Sequence, residues 1–495
     1  MTTTTTTTTE EEITPTKQRA RRWVDSAARA VAIEVRAQRG IALPLIAMNL
    51  TWFAKLAITT AFLGRLGDLQ LAAGTLGFSF ANVTGFAVLS GLCAAMDPIC
   101  GQAHGASNVA LLRKTLLMAT IMLLAASIPI AILWLHVDAV LRRFGQQPDI
   151  TSNARTYVVC LLPNLLVTSF LNPLKSYLSA QGITLPTLFS SALALALHVP
   201  LTMWMARTKG IQGVATAVWL SDLAVAIMLV VYVLASERRR KAASASGGWL
   251  EQTRRDWVCL LRLAGPCCLN TCLEWWCYEI LVLLTGRLPD ARRMVAVIAV
   301  TLNFDYLLFA AMLSLSVSAS VRVSNELGAG DVSAARRAAI VSIFGGVVGG
   351  VVGGLVMLAA RRPWGYIYSH DAGVREGVSS AMKVMALMEV VNCPLNVCGG
   401  IVRGTARPVV GVCAVVAGFY LVAATGGRGT GVQGKARHRW TPVGVPGGRG
   451  GELDGAPHGD RAHGLDGRGR QRTEESGRRR RQHRRRPGVI RRLAS

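Results

Sequence analysis

Two glutamates, Glu274 and Glu279, stand inside one apolar run of this 495-residue chain, in the segment Cys272-Leu273-Glu274-Trp275-Trp276-Cys277-Tyr278-Glu279. A carboxyl enclosed by aromatic side chains loses hydration, which favours its neutral form. Such a group takes up a proton when enclosed and releases it when its surroundings open. The chemistry on offer is therefore cation exchange. Five residues of helix turn through about 500°, so the two side chains lie about 140° apart and need not share a face. Asp305 and Glu389 stand in two further apolar runs, beside Asn303 and Asn392, which are able to share a proton or line a cavity. Hydrogen bonding that ties helices together is the competing job for all four acids. Asp222, in another apolar run, reads as structural. The chain has no phosphate-cradling G-x-x-x-x-G-K-[ST] segment. Its eleven Cys show no zinc-ligand spacing, so no metal or other cofactor and no enzyme activity is expected.

Those acids need a scaffold that keeps them from water. The chain is 51% hydrophobic and 17% charged, and its charges gather in islands between long apolar runs. Runs of about 20 residues span a ~30 Å hydrocarbon core as helix. Inside lipid every backbone group must be satisfied within its own segment, so each run is helical. The fold class is an all-α polytopic membrane protein. Six runs, at 41–63, 71–95, 115–137, 157–178, 188–205 and 214–235, make an N-lobe over residues 41–235. A basic connector, 236–256, carries Arg238, Arg239, Arg240, Lys241, Arg254 and Arg255. Runs at 257–284, 294–318, 338–360, 381–402 and 409–424 make a C-lobe of about five helices. The connector's charge places it in the cytosol. An even number of spans then puts the N-terminus there too. Residues 1–40 open with a threonine tract and Glu10-Glu11-Glu12 and contain no apolar signal, so a disordered cytosolic segment is expected.

The halves repeat. Gly105-Ala106-Ser107-Asn108 lies against Gly328-Ala329-Gly330-Asp331 at an offset of 223 residues, and Pro173-Leu174 matches Pro394-Leu395. Both stretches follow even-numbered spans, so the repeat is parallel, about an axis along the membrane normal. It predicts a twelfth span near 436–457, where Arg437, His438 and Arg439 precede Pro, Gly and acidic residues. An arginine at the bilayer centre costs about 2.5–3.5 kcal/mol, so this segment does not span. Residues 425–495 hold 18 of the 54 Lys and Arg against six acids, and 17 of the 50 Gly. This tail supplies much of the net charge of +26. It lacks the aromatics that stack nucleic-acid bases, so no nucleic-acid partner is expected. The abrupt change at Ala424 reads as a disordered tail or a shift of coding frame.

Three motifs carry a family resemblance. Cys100-Gly101-Gln102-Ala103-His104-Gly105-Ala106 follows the second span. Arg322-Val323-Ser324-Asn325-Glu326-Leu327-Gly328-Ala329-Gly330 follows the eighth, and Leu273-Glu274-Trp275-Trp276 lies within the seventh. In this order they resemble the MATE (multidrug and toxic compound extrusion) family, particularly its plant branch, from about Glu34 to Ala424. The resemblance implies two six-helix lobes around a central cavity. It also implies export of a small organic substrate against an inward proton or sodium gradient, by a monomer in the plasma membrane, vacuole or another endomembrane. It points to Glu274 as the coupling acid. The family's bacterial members often carry an aspartate in the first span, where this chain has only Asn49, which favours the C-lobe. Cys100, Gly101, Gln102, Gly105, Arg322, Asn325, Glu326 and Gly328 are read as gate and packing residues. The glycines would turn the chain after helix ends, and the polar residues would tie loops to those ends. Paired glycines at 345–346, 349–350 and 353–354 form a small-residue stripe for helix packing. A C-lobe without its last helix has a second reading, a membrane scaffold that transports nothing.

Overall fold

The computed structural model describes residues 15–241, 252–285, 291–368 and 371–417, and the regular structure within them is helical. In chain order the helices are α1 (Pro15–Leu66), α2 (Asp68–Gly105) and α3 (Val109–Leu135). Next comes α4, made of Pro148–Cys160 and Leu162–Ala180 with a bend of 43°. Helices α5 and α6 are the two arms of 185–241 on either side of Gly210. The second half holds α7 (Arg254–Thr285), α8 (Ala291–Gly328), α9 (Val332–Tyr368), α10 (Ala372–Gly404) and α11 (Pro408–Val415).

Seven helices among the described residues are long and apolar enough to cross a membrane, and the bent α4 makes an eighth. One of the seven, Leu185–Arg239, is two spans. Gly210 breaks it with φ 60° and ψ −133°. His198 Nδ1 then meets Ser221 Oγ at 2.8 Å although 23 residues separate them. A straight helix would hold those residues ~35 Å apart. The chain therefore doubles back at Gly210, as the separate runs 188–205 and 214–235 predict.

The repeat is visible in backbone detail. Ser107 and Gly330 both adopt positive φ, 56° and 81°. The next residue in each half caps the following helix. Asn108 accepts from the Leu111 N–H at 3.0 Å, and Asp331 accepts from the Ala334 N–H at 2.9 Å. Each side chain satisfies a backbone donor that the first helical turn leaves free. One large apolar cluster, with Trp134, Tyr157 and Tyr177 fully buried, unites the N-terminal half. A separate cluster around Val300, Met357 and Met382 serves α8, α9 and α10.

Two expectations need correction. Residues 15–40 are helical, forming one continuous rod with the first span. Arg322 of α8 grips the Glu34 carboxylate through two nitrogens at 2.9 and 2.7 Å. Gln38 donates to the Ala338 carbonyl at 3.1 Å. These long-range bonds hold a polar segment in helical form that its composition alone would leave loose. Residues 1–14 lie outside the described residues, as do the tail 425–495 and the segment near 436–457. The connector is also partly helical, because α6 runs on to Lys241. Its far end is clasped to α3 by Lys114, 2.7 Å from Asp256. Partial burial pushes the Asp256 carboxyl up, but the Lys114 ammonium and the Thr253 donors outweigh it and hold the group below its usual range.

One row of the α9 glycines, Gly346, Gly350 and Gly354, faces α10, whereas Gly353 meets Leu308 of α8. A methyl group on Gly350 would sit 2.7 Å from the Glu389 carbonyl oxygen, and one on Gly354 2.7 Å from that of Ala386. Lipid offers no hydrophobic drive between helices, so close backbone approach of this kind carries the association. Gly345, by contrast, has nothing within 4 Å. Gly350→Val should lower the melting temperature of the detergent-solubilised protein by several degrees, a cost of about 1–3 kcal/mol for overpacking. Gly345→Ala should leave it unchanged. Fluorescence-detected thermal unfolding of the two variants side by side tests the assignment.

Candidate functional site

Between the two halves lies a cavity of about 400 Å³, a volume in the range of small-molecule sites. Its lining is mainly apolar and aromatic, with Trp52, Phe78, Phe86 and Trp275. The N-terminal half supplies most of the wall, and Thr271, Trp275, Leu313, Val317 and Arg403 close it from the other half. Five charged side chains reach it: Lys55, Asp97, Lys175, Asp222 and Arg403. Lys55 of α1 pairs with Asp222 of α6 at 2.5 Å. This pairing ties the first and sixth spans together, and it also places Asp222 on the cavity wall.

Of the four acids singled out in the sequence, Glu274, Asp305 and Glu389 do not line this cavity. Glu274 stands just behind its wall on α7, where Asn396 of α10 donates to it at 3.3 Å. Asp305 of α8 and Glu389 of α10 are buried, and their carboxyls hydrogen-bond to each other. A hydrogen bond between two carboxyls requires a proton on one of them. Asn392 also bonds to Glu389, as its position in the sequence suggested. Asn303 does not reach Asp305 and instead donates to the carbonyl of Ala299 at 3.0 Å. Glu279 lies on α7, and its side chain falls outside the described residues.

Helix α10 connects these groups. Glu389, Asn396 and Arg403 recur every seven residues, so they follow one face, with ~10 Å between successive members. Ser316 of α8 braces the middle of this line, donating to the Asn396 carbonyl at 2.7 Å and accepting from Arg403 at 3.1 Å. At its end Arg403 faces Asp97 of α2, with Nε 4.0 Å from the carboxylate. The charge of Arg403 also acts on Glu274. A polar line thus runs from the buried carboxyl pair, past Glu274, to an ion pair that crosses between the halves.

The signature segments meet on one face of the molecule. Gly101, Gly105 and Gly328 do not make turns there, because all three lie within helices and the positive φ angles belong to Ser107 and Gly330. What they permit is close approach. A methyl on Gly105 would overlap the carbonyl oxygen of Asn325, and one on Gly328 would overlap that of Gln102. A methyl on Gly101 would overlap the Ser324 hydroxyl. Cys100 is fully buried behind this contact, and Gln102 reaches the Gly404 carbonyl at 3.5 Å. Arg322, besides gripping Glu34, bonds Glu326 at 2.7 Å. Arg322, with Glu326 beside it on the same helix, therefore ties α8 to the rod of α1 rather than a loop to a helix end.

Two bases that no sequence motif marks, Lys55 and Lys175, also belong to the cavity wall. Lys55 and Lys175 sit inside predicted spans, where any ionisable residue is expensive and signals function. Asp97 and Arg403 stand at span ends and become a pair only through the fold.

The MatE family model matches the chain twice, over residues 44–204 and 266–426. Protein DETOXIFICATION 56 of Arabidopsis thaliana is 52% identical over 395 residues, 80% of this chain and 80% of the relative. Protein DETOXIFICATION 51 of the same plant is 38% identical over 387 residues, 77% of this chain and 72% of the relative. Among solved structures, the eukaryotic MATE transporter AtDTX14 aligns with a TM-score of 0.74 at 29% identity, covering 81% of this chain and 90% of its own. The Vibrio cholerae MATE transporter VcmN in its bent form aligns at 0.70 and 16% identity over 80% and 90%, a likeness of fold alone.

The reciprocal glycine contact makes a direct prediction. Gly105→Leu combined with Gly328→Leu should hold the two segments apart. With the eleven native cysteines replaced by serine or alanine, a single cysteine placed at Thr271 in the cavity should then react with a membrane-impermeant maleimide from the face that carries the motifs. In the otherwise unchanged chain that face should stay shielded.

Proposed function

The chain belongs to the MatE family of membrane transporters, and on that premise we propose that it exports organic solutes by proton antiport, with Glu274 as the coupling acid. The membrane is the plasma membrane or an endomembrane. With the connector in the cytosol, the glycine contact is the closed cytosolic gate of this conformation.

The observation that carries the reading is the position of Arg403. It answers to Glu274 in its own half and to Asp97 across the boundary. When Glu274 is ionised, the guanidinium is shared between two carboxylates. When Glu274 takes a proton, that claim lapses and Arg403 is free to turn wholly to Asp97. Protonation of Glu274 therefore removes one of the two charges that compete for the guanidinium, and biases the contact between the halves. The hydrogen bond between Asp305 and Glu389 makes that pair a second proton station, linked to the first along α10. A proton rather than sodium suits these groups, because each acid is already engaged by a hydrogen-bonding neighbour instead of an open cage of oxygens.

Proteoliposomes with an imposed pH gradient test the assignment. Glu274→Gln should reduce gradient-driven solute movement by roughly tenfold or more, since it fixes the group in its neutral form. Solute exchange without a gradient should persist, and the protein should remain monodisperse. If Glu274→Gln keeps full coupling and Glu389→Gln abolishes it, the coupling site is the carboxyl pair and not Glu274.

A further inference from the structure

The charges around the cavity are unevenly placed. At the Arg403 end one guanidinium faces the carboxylates of Asp97 and Glu274. Elsewhere on the lining, two ammonium groups, Lys55 and Lys175, share one carboxylate, Asp222. Lys55 takes the direct ion pair. Lys175 lines the cavity and has no hydrogen bond or ion pair among the described residues. The nearby imidazole adds no negative charge. His198 is held by the hydroxyls of Thr59 at 3.1 Å, Ser221 at 2.8 Å and Thr202 at 3.3 Å. A second polar group is also unmet, because Asn164 is buried in the cavity wall and its Oδ1 has no partner.

An ammonium group withdrawn from bulk water and left unpaired is costly, and a site that keeps one is arranged for a counter-charge. We propose that the lysine end of the cavity, Lys175 and Lys55 around Asp222, is a carboxylate site, and that the transported solute is a hydroxylated aromatic acid. The carboxylate meets Lys175, the group without a protein partner. The aromatic body lies among Trp52, Phe86 and Trp275. A hydroxyl donates to Asn164, which accepts only at the oxygen that is free. Asn164 precedes Lys175 by eleven residues on the same helix face, about 16 Å along α4, so an elongated solute is needed to meet both. An aromatic cation, by contrast, would meet two like charges at this end, and like-charge juxtaposition selects against it.

This substrate class rests on the transport reading above, but the site is measurable by binding alone. Full-length protein in detergent is equilibrated with radiolabelled ferulate, with methyl ferulate and phenyltrimethylammonium as competitors. Ferulate should bind, its neutral ester should compete at least about tenfold more weakly, and the cation weaker still. That is the expected loss of one charge-assisted hydrogen bond. Lys175→Met should weaken ferulate binding by roughly tenfold. Lys175→Arg should restore it to within about threefold, since the guanidinium also pairs with carboxylates. Equal affinity for acid and ester, equal binding by the unchanged protein and Lys175→Met, or no ferulate binding at all would each overturn the site. A second arm uses proteoliposomes with a pH gradient. Movement of the cation without ferulate binding overturns the site and leaves the exporter intact. Charge-selective ferulate binding that depends on Lys175, with no solute moved, overturns the exporter and leaves the site.

Discussion

Two backbone carbonyls, those of Gln102 and Asn325, rest against the α-carbons of Gly328 and Gly105 in the opposite half. Both residues of each matched pair, Gln102 with Asn325 and Gly105 with Gly328, are related by the same offset of 223. The contact is therefore self-complementary in the manner of a two-fold interface, although it lies within one chain. Van der Waals packing has to supply what hydrophobic association supplies in water. Bare glycine backbone brings two helices closer than any side chain allows. The close approach fixes the spacing of α2 and α8 where the two halves meet.

The second constraint is the cost of charge. Each ionised group inside the bilayer region needs an opposite partner or a hydrogen-bonding neighbour. Most obey: Lys55 pairs with Asp222 and Asp305 with Glu389, while at the membrane edge Arg113 pairs with Glu237 and Arg322 with Glu34. The exceptions fall where the two halves meet. Arg403 is shared between acids of both halves, and Lys175 has no partner among the described residues. Groups that already have a full complement hold helices in place. Groups with an unfilled or divided one are free to respond to a proton or a solute.

Much of this was legible in the residues, for identifiable reasons. The spans could be read because lipid demands long apolar helices with internally satisfied backbones. The hairpin at Gly210 was foretold by the polar gap between two runs. Glu274, Asp305 and Glu389 stood out because an acid in an apolar run has so few structural uses. Residues 15–40 were misread because their helix depends on Arg322 and Ala338, both about 290 residues or more away in sequence. The motif glycines were misread for a similar reason. A glycine beside a helix end suggests a turn, and only the opposite half shows that the space above its α-carbon is occupied.

By itself, then, the sequence determined the membrane class, the parallel repeat, the family likeness and which acids stand inside apolar runs, since each depends on composition or spacing. Only the tertiary structure decided which charges neutralise one another, and that Lys175 and Asn164 are left facing a cavity. It alone placed Arg403 between the halves. Pairing is a matter of distances between atoms far apart in the chain, and a linear pattern carries no such distances.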